Sequence, residues 1–174
     1  MDELRQATGL SLRAIYGMFA SKHDLVLEVL DYRQQLWSEG LAHQVRHETH
    51  PQQKLLAVYD YLAGWFADDT FRGCGFINAF AELGAVEPEV AARVRLHKES
   101  FQMYVARLVQ ETQAHPDLAP QLAILAEGAQ TTAAISGTID AAIHARRAAE
   151  ILITAALTTQ PDRTMPCGES LPPG

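Results

Sequence analysis

The chain has 174 residues, 48% of them hydrophobic, and a formal net charge of −7. This length suits one or two domains with a sizeable core. The negative charge excludes a protein that coats nucleic acid through a broadly basic surface. The two cysteines, Cys74 and Cys167, are too few for a disulfide framework. No apolar run approaches the ~20 residues that span a membrane, so we expect a cytoplasmic protein with no membrane partner.

Residues 1–25 predict two short helices joined by a tight turn. Gly9 suits the left-handed cap that ends a helix, and Ser11 can cap the amides that open the next one. On that second helix one face carries Leu12, Ile15 and Phe19. Two short helices joined in this way present a recognition helix to the major groove of DNA. The segment therefore indicates a helix-turn-helix.

The same segment resembles the DNA-binding domain of the tetracycline-repressor (TetR) family, in the run Gly9-Leu10-Ser11, Ile15-Tyr16, Phe19 and Ser21-Lys22. The resemblance implies that Tyr16 and Lys22 contact phosphates. It also implies a set of residues that face bases or backbone, namely Ser11, Leu12, Arg13, Ala14 and Gly17. The family has one more helix before this segment, so we interpret residues 1–32 as an incomplete helix-turn-helix domain whose first helix is missing.

Beyond residue 32 every periodic segment is helical, and no segment alternates as a strand does. A long helix is predicted from Asp24 to about His47, and Pro51 and Pro88 suit the starts of two later helices. The predicted fold class is all-α, with a helical-bundle domain over residues 33–160. The proline- and glycine-rich end, residues 161–174, is predicted to be a disordered tail.

The resemblance implies a small-molecule pocket between the linking helix and the helices after it. Ligand pockets are mostly apolar with a few convergent polar groups. Aromatic and polar residues of these helices are the candidates: Trp37, Tyr61, Trp65, Phe76, Asn78, Phe80, His97, Phe101 and Tyr104. Plain core packing is the simpler explanation for each of them, because buried aromatic stripes serve packing first. His97 stands out because an imidazole on an apolar stripe requires a hydrogen-bond partner.

The last two predicted helices, about 118–138 and 140–158, are crowded with small residues. In the TetR family these helices pair with their copies in a partner subunit as a four-helix bundle. The resemblance therefore implies a homodimer interface made of Leu122, Leu125, Ala129, Ala133, Ser136, Ala142, Ala145, Ala149, Leu152 and Ala156. The alternative is an ordinary small-residue core within one subunit.

Two other readings of the chemistry stay open. Zinc accepts imidazole and carboxylate ligands at the spacing of Glu39, His43, His47 and His50, although a solvated helix end explains these residues as well. Cys74 between two glycines fits a redox or electrophile sensor, or a buried core thiol. No motif joins Cys74 to a base, so the chain is not expected to be an enzyme, and neither a cofactor nor a metal is expected.

The predicted function is a ligand-responsive, dimeric, DNA-binding transcriptional regulator. A dimer presents two recognition helices about one DNA turn apart and so reads a near-palindromic operator. An effector that favours another separation releases the DNA. Repression is expected because most members of the family repress. The alternative is a sensing and dimerisation module that no longer binds DNA.

Overall fold

The computed structural model describes residues 1–158, and the predicted disordered tail lies outside them. Within residues 1–158 the chain forms eight α-helices and no strand, which confirms the all-α prediction. The helices are α1 (Asp2–Thr8), α2 (Leu12–Met18), α3 (Lys22–Arg46), α4 (Pro51–Phe66), α5 (Gly75–Leu83), α6 (Pro88–Thr112), α7 (Leu118–Ser136) and α8 (Asp140–Thr158). None of these helices combines the length and apolar character that a membrane span requires.

The end of α1 and the starts of α2 and α3 lie at residues that cap them. Gly9 adopts a φ of 68° after α1, and its N–H donates to the Arg5 carbonyl at 2.9 Å. The Ser11 side chain accepts from the Ala14 N–H at 3.1 Å and so caps α2. Ser21 caps α3 in the same way. A side-chain oxygen at this position satisfies an amide that has no partner within the helix.

Helix α3 connects the two short N-terminal helices to the rest of the fold. It has 25 residues and crosses the predicted boundary between residues 32 and 33 without a break. Its buried side chains, Leu30, Leu41 and Val45, face the later helices. A single helix therefore continues across this boundary, and the division into domains 1–32 and 33–160 stays a prediction.

The main core lies around α4, which packs against α3, α6, α7 and α8. Leu55 and Leu62 of α4 are fully buried, and so are Ala126 of α7 and Ala149 of α8. Alanines at these positions let the helix backbones approach closely, and the leucines fill the space between them. A smaller second core, formed by Leu30, Cys74, Phe76, Val90 and Val94, joins α3, α5 and α6.

One hydrogen bond in the main core joins α4 to α7. The buried Tyr59 hydroxyl donates to the Leu122 carbonyl at 2.8 Å, and burial raises the pKa of this phenol. Replacing Tyr59→Phe removes the bond without removing the ring. We expect the free energy of unfolding to fall by about 0.5 to 1.5 kcal/mol, as for a typical hydrogen bond within a protein. Urea unfolding measures the change, and an unaltered midpoint would contradict the assignment.

Candidate functional site

The exposed surface of α2 holds most of the residues predicted to meet DNA. Arg13, Ala14, Tyr16 and Gly17 are exposed, whereas Ile15 on the opposite side is buried. Leu12 is half-buried. Lys22 is exposed in the first turn of α3, where free amides and an ammonium group can hold a phosphate. Ser11 is also exposed, but its hydroxyl is engaged as the cap of α2.

A group of charged side chains ties the start of α3 to the start of α6. His23 Nε2 donates to Glu89 Oε2 at 2.6 Å, and His23 Nδ1 donates to Glu87. Further along, the Arg93 guanidinium donates to the Asp31 carboxylate at 3.1 Å. The hydrogen bonds to Glu89 and Glu87 raise the pKa of His23. We call His23, Glu87 and Glu89 the α3–α6 clasp.

The α3–α6 clasp gives the protein a pH dependence of definite sign. A raised pKa means that the clasp is complete below the usual histidine value and is lost as the pH rises through the folded-state pKa. We expect the melting temperature to fall more steeply between pH 6 and 9 in the natural protein than in His23→Gln. His115→Gln is the matched control, because His115 also faces a carboxylate, Asp117, but both side chains are largely exposed. Parallel profiles of the natural protein and His23→Gln would contradict the clasp.

A cavity of about 230 Å³ lies where five helices meet. Its lining comes from α3, α4, the start of α5, α6 and α7. The lining residues are Arg33, Leu36, Trp37, Tyr61, Trp65, Cys74, Gly75, Phe76, His97 and Gln130. We call this space the aromatic cavity.

Trp37 is the central ring of the aromatic cavity. Its centroid lies 5.1 Å from those of Tyr61 and Trp65, and both rings meet it edge to face. Phe101 approaches Trp37 at 6.0 Å from the core. Edge-to-face contacts at these distances are favourable and fix the orientation of the rings. These ring contacts therefore hold the aromatic walls of the cavity in place.

His97 is held as a neutral imidazole. Its ring stacks on Phe76 with centroids 3.6 Å apart, and its Nδ1–H donates to Gln34 Oε1. Burial, and then the charge of Lys98, lower the pKa of His97 to about 4. The hydrogen-bond partner that the sequence required is therefore Gln34, and His97 adds no positive charge to the cavity near neutral pH.

Five of the nine residues predicted for the pocket line the aromatic cavity: Trp37, Tyr61, Trp65, Phe76 and His97. Phe101 is buried behind Trp37. The other three lie elsewhere. Asn78 lines a neighbouring groove and donates to the Arg72 carbonyl, and Phe80 borders a surface groove beside Lys98. Tyr104 is half-buried under the Arg107 guanidinium.

The cavity is also lined by residues that were not predicted from the sequence, chiefly Arg33, Leu36 and Gln130. Arg33 lies at helical spacing from the buried Leu30 and the half-buried Trp37 of α3, although its own side chain is exposed. The sequence does carry a signal for Gln130, since it follows Ala126 by one helical turn on the buried side of α7. A polar side chain on an apolar stripe needs an explanation.

Most residues predicted for the dimer interface belong to the core of the subunit. Six of the ten are buried against α4 and against each other, so they cannot contact a partner: Leu122, Ala129, Ala133, Ala142, Ala145 and Ala149. Leu125, Leu152 and Ala156 are half-buried, and Ser136 is exposed. The physical reason is that small residues serve the close approach of α7 and α8 within one subunit.

The structure bears differently on the two alternative sensors, a metal site and a reactive cysteine. Residues 1–158 contain no group of three His, Cys, Asp or Glu side chains that could hold a metal, so Glu39, His43, His47 and His50 do not form a ligand set. Cys74 is buried at the start of α5, and its sulfur lies 4.0 Å from the Lys98 ammonium. The thiol also lines the aromatic cavity, so a ligand there would touch it.

The comparisons with known proteins decide the family. Residues 51–156 match the family described as "Tetracyclin repressor-like, C-terminal domain". The chain belongs to the tetracycline-repressor family. The TetR assignment made from residues 9–25 is thus confirmed by a separate part of the sequence. No curated protein matches this chain. Since the family consists of transcriptional regulators, the prediction that the chain is not an enzyme is confirmed.

Solved structures of other TetR-family regulators share the fold. SCO4454, a TetR-family transcriptional regulator from Streptomyces coelicolor, is 20% identical with a TM-score of 0.82 over 90% of this chain and 84% of its own. A TetR transcriptional regulator from Chloroflexus aurantiacus is 27% identical with a TM-score of 0.76 over 87% and 82%. A TetR-family regulator from Agrobacterium tumefaciens is 21% identical with a TM-score of 0.77 over 86% and 84%.

Proposed function

We propose that this chain is a dimeric, DNA-binding transcriptional repressor that releases its operator when a small molecule occupies the aromatic cavity. The observation that carries the proposal is the continuity of α3. This single helix has Lys22 and His23 in its first turn and Trp37 in the wall of the cavity. The two positions are separated by roughly 22 Å along the helix, at about 1.5 Å per residue.

The coupling runs through the contacts of α3 with α6. A ligand in the aromatic cavity touches α3 at Trp37 and α6 at His97. The same two helices are joined by the α3–α6 clasp near α2. A ligand that binds one relative position of α3 and α6 more tightly shifts the population toward that position, and with it the orientation of α2. By linkage, DNA and effector then weaken each other's binding by the same factor.

The proposed dimer uses the outward face of α7 and α8. Ile124 and Ile135 of α7 are exposed, as are Ile143 and Ile151 of α8. Ile124 and Ile151 border an apolar groove between the two helices, which Leu125 and Leu152 complete. Two helices per subunit with an exposed apolar face suit a self-complementary two-fold interface. This face replaces the buried set Leu122, Ala129, Ala133, Ala142, Ala145 and Ala149.

DNA binding tests the proposed function directly. The protein is mixed with the DNA that flanks its own gene and with a randomised DNA pool, at two salt concentrations. We expect specific binding that weakens as salt rises, because cationic side chains release counterions from phosphates. Lys22→Gln should weaken binding and reduce the salt slope by about 2, because the dimer loses one phosphate contact in each subunit. Arg95→Gln on exposed α6 removes the same charge and should have no effect.

Two outcomes of the DNA-binding test would contradict the proposed function in whole or in part. If neither the flanking DNA nor any member of the pool is bound specifically, the regulator proposal is wrong for this chain. The sensing and dimerisation module then takes its place. If DNA binds but a reporter gene downstream of the bound site is activated, the repressor assignment alone is wrong. A cytoplasmic location, where such a regulator meets its DNA, stays a prediction.

A further inference from the structure

We infer that the aromatic cavity takes a small, flat aromatic acid, whose ring lies among the tryptophans and whose carboxylate pairs with Arg33 at the start of α5. The inference rests on the proposed function, because it names the chemical class of the effector in the same cavity. Three features support it: an unpaired cation, an uncapped helix start, and an amide side chain that faces the cavity without a protein partner.

Arg33 supplies the charge. It lines the aromatic cavity, and within residues 1–158 its guanidinium has neither an ion pair nor a hydrogen bond. His97 is neutral near pH 7, so Arg33 carries the only formal charge among the described residues of the lining. Arg33 is exposed and belongs both to this cavity and to the adjoining groove, which places it at the entrance. A guanidinium there favours a carboxylate over a neutral group.

The start of α5 lies beside Arg33. Cys74 precedes this nine-residue helix and Gly75 and Phe76 begin it; all three line the cavity, and no side chain caps the helix. Free amides and the positive end of the helix dipole favour an anion at this position. Any side chain at position 75 would have its Cβ 3.5 Å from Arg33 Cδ, so the arginine stem lies directly over Gly75. A carboxylate at this point would meet both the guanidinium and the free amides.

Gln130 is the independent sign of a ligand. Its side chain is only 3% exposed and lines the cavity, and it makes no hydrogen bond to another residue among residues 1–158. A polar group that faces a cavity in this way takes its hydrogen bonds from water or from a ligand. A hydroxyl or carbonyl on the ligand would satisfy it. The expected effector thus has a ring, a carboxylate and a further polar group.

The size of the cavity limits the ring system. About 230 Å³ is below the ~300–1,000 Å³ of typical ligand sites, so one or two fused rings fit and a long acyl chain does not. The walls also favour a ring, since Trp37, Tyr61, Trp65 and Phe76 all present aromatic surfaces. A flat aromatic acid meets both conditions.

Calorimetric binding of 2-naphthoate and 2-naphthamide tests the inference, because the two probes differ in charge and little in shape. We expect the acid to bind at least ten times more tightly than the amide. Arg33→Gln should bring that ratio close to one while the amide retains its affinity, and Arg95→Gln should leave both affinities unchanged. Gln130→Leu should weaken at least one of the hydroxynaphthoates without weakening 2-naphthoate.

Equal affinities of the acid and the amide, or equal losses of both in Arg33→Gln, would overturn the inference. Absence of binding by either probe at millimolar concentration would overturn it too. Tighter binding of octanoate than of 2-naphthoate would replace the aromatic acid with an aliphatic one. None of these titrations contains DNA. Specific DNA binding without binding of 2-naphthoate would leave the proposed function standing and reject only the effector class.

Discussion

Replacing both Ile124 and Ile151 with glutamate is expected to convert the proposed dimer into a monomer. The two isoleucines are 71% and 69% exposed in the subunit, on either side of the apolar groove between α7 and α8. A two-fold dimer contains each residue twice, so the double variant loses four buried isoleucines. At about 1.5 to 3 kcal/mol each, the loss is about 6 to 12 kcal/mol.

That loss is as large as the whole free energy of a typical dimer. A dissociation constant between 1 μM and 1 nM corresponds to about 8 to 12 kcal/mol, so the variant should be monomeric at micromolar concentration. Sedimentation equilibrium measures it. The matched control is Leu96→Glu with Met103→Glu, two similarly exposed residues on α6. A dimer that survives the first pair of changes but not the second would move the interface to α6.

Replacing Leu62→Ala is expected to lower the free energy of unfolding by about 2 to 5 kcal/mol. Leu62 is fully buried in α4, at the centre of the main core. Truncation removes apolar contacts and leaves a cavity, because the surrounding helices can close only part of the space. For a domain whose total stability is ~5–15 kcal/mol, this is a large fraction.

The same substitution on the surface is the control for Leu62→Ala. Leu96 of α6 is 61% exposed, so Leu96→Ala should change the free energy of unfolding by less than about 0.5 kcal/mol. Urea unfolding compares the variants at one protein concentration, because dimer formation makes stability concentration-dependent. Equal losses in the two variants would contradict the placement of α4 at the centre of the core.

The helices could be predicted from the sequence because their signals are local. Gly9, Ser11 and Ser21 act on amides and carbonyls within four residues of themselves, and each caps the helix that the sequence indicated. Pro51 and Pro88 open α4 and α6 for the same reason. The arrangement of the helices in space could be predicted only from the family resemblance, because local capping signals do not determine it.

The packing partners could not be predicted in the same way. Ala142 and Ala149 are equally suited to a contact within a subunit and to one between subunits, and only the three-dimensional arrangement places them against α4. The cavity shows the same limit. Trp37 and Trp65 could be predicted as lining residues because they are aromatic. Arg33 and Gln130 could not, because only the packing of neighbouring helices brings them to the cavity.

The distance between the two copies of α2 in the dimer is the measurement that tests the account most directly. Spin labels at position 18, where Met18 is exposed at the end of α2, report it by electron double resonance after Met18→Cys and Cys167→Ser, while the buried Cys74 stays in place. We predict a separation of about one DNA turn, ~34–36 Å, when DNA is bound. Filling the aromatic cavity with 2-naphthoate should shift the separation and release the DNA. The absence of any distance between subunits, or a distribution that stays the same when the cavity is occupied, would contradict the account.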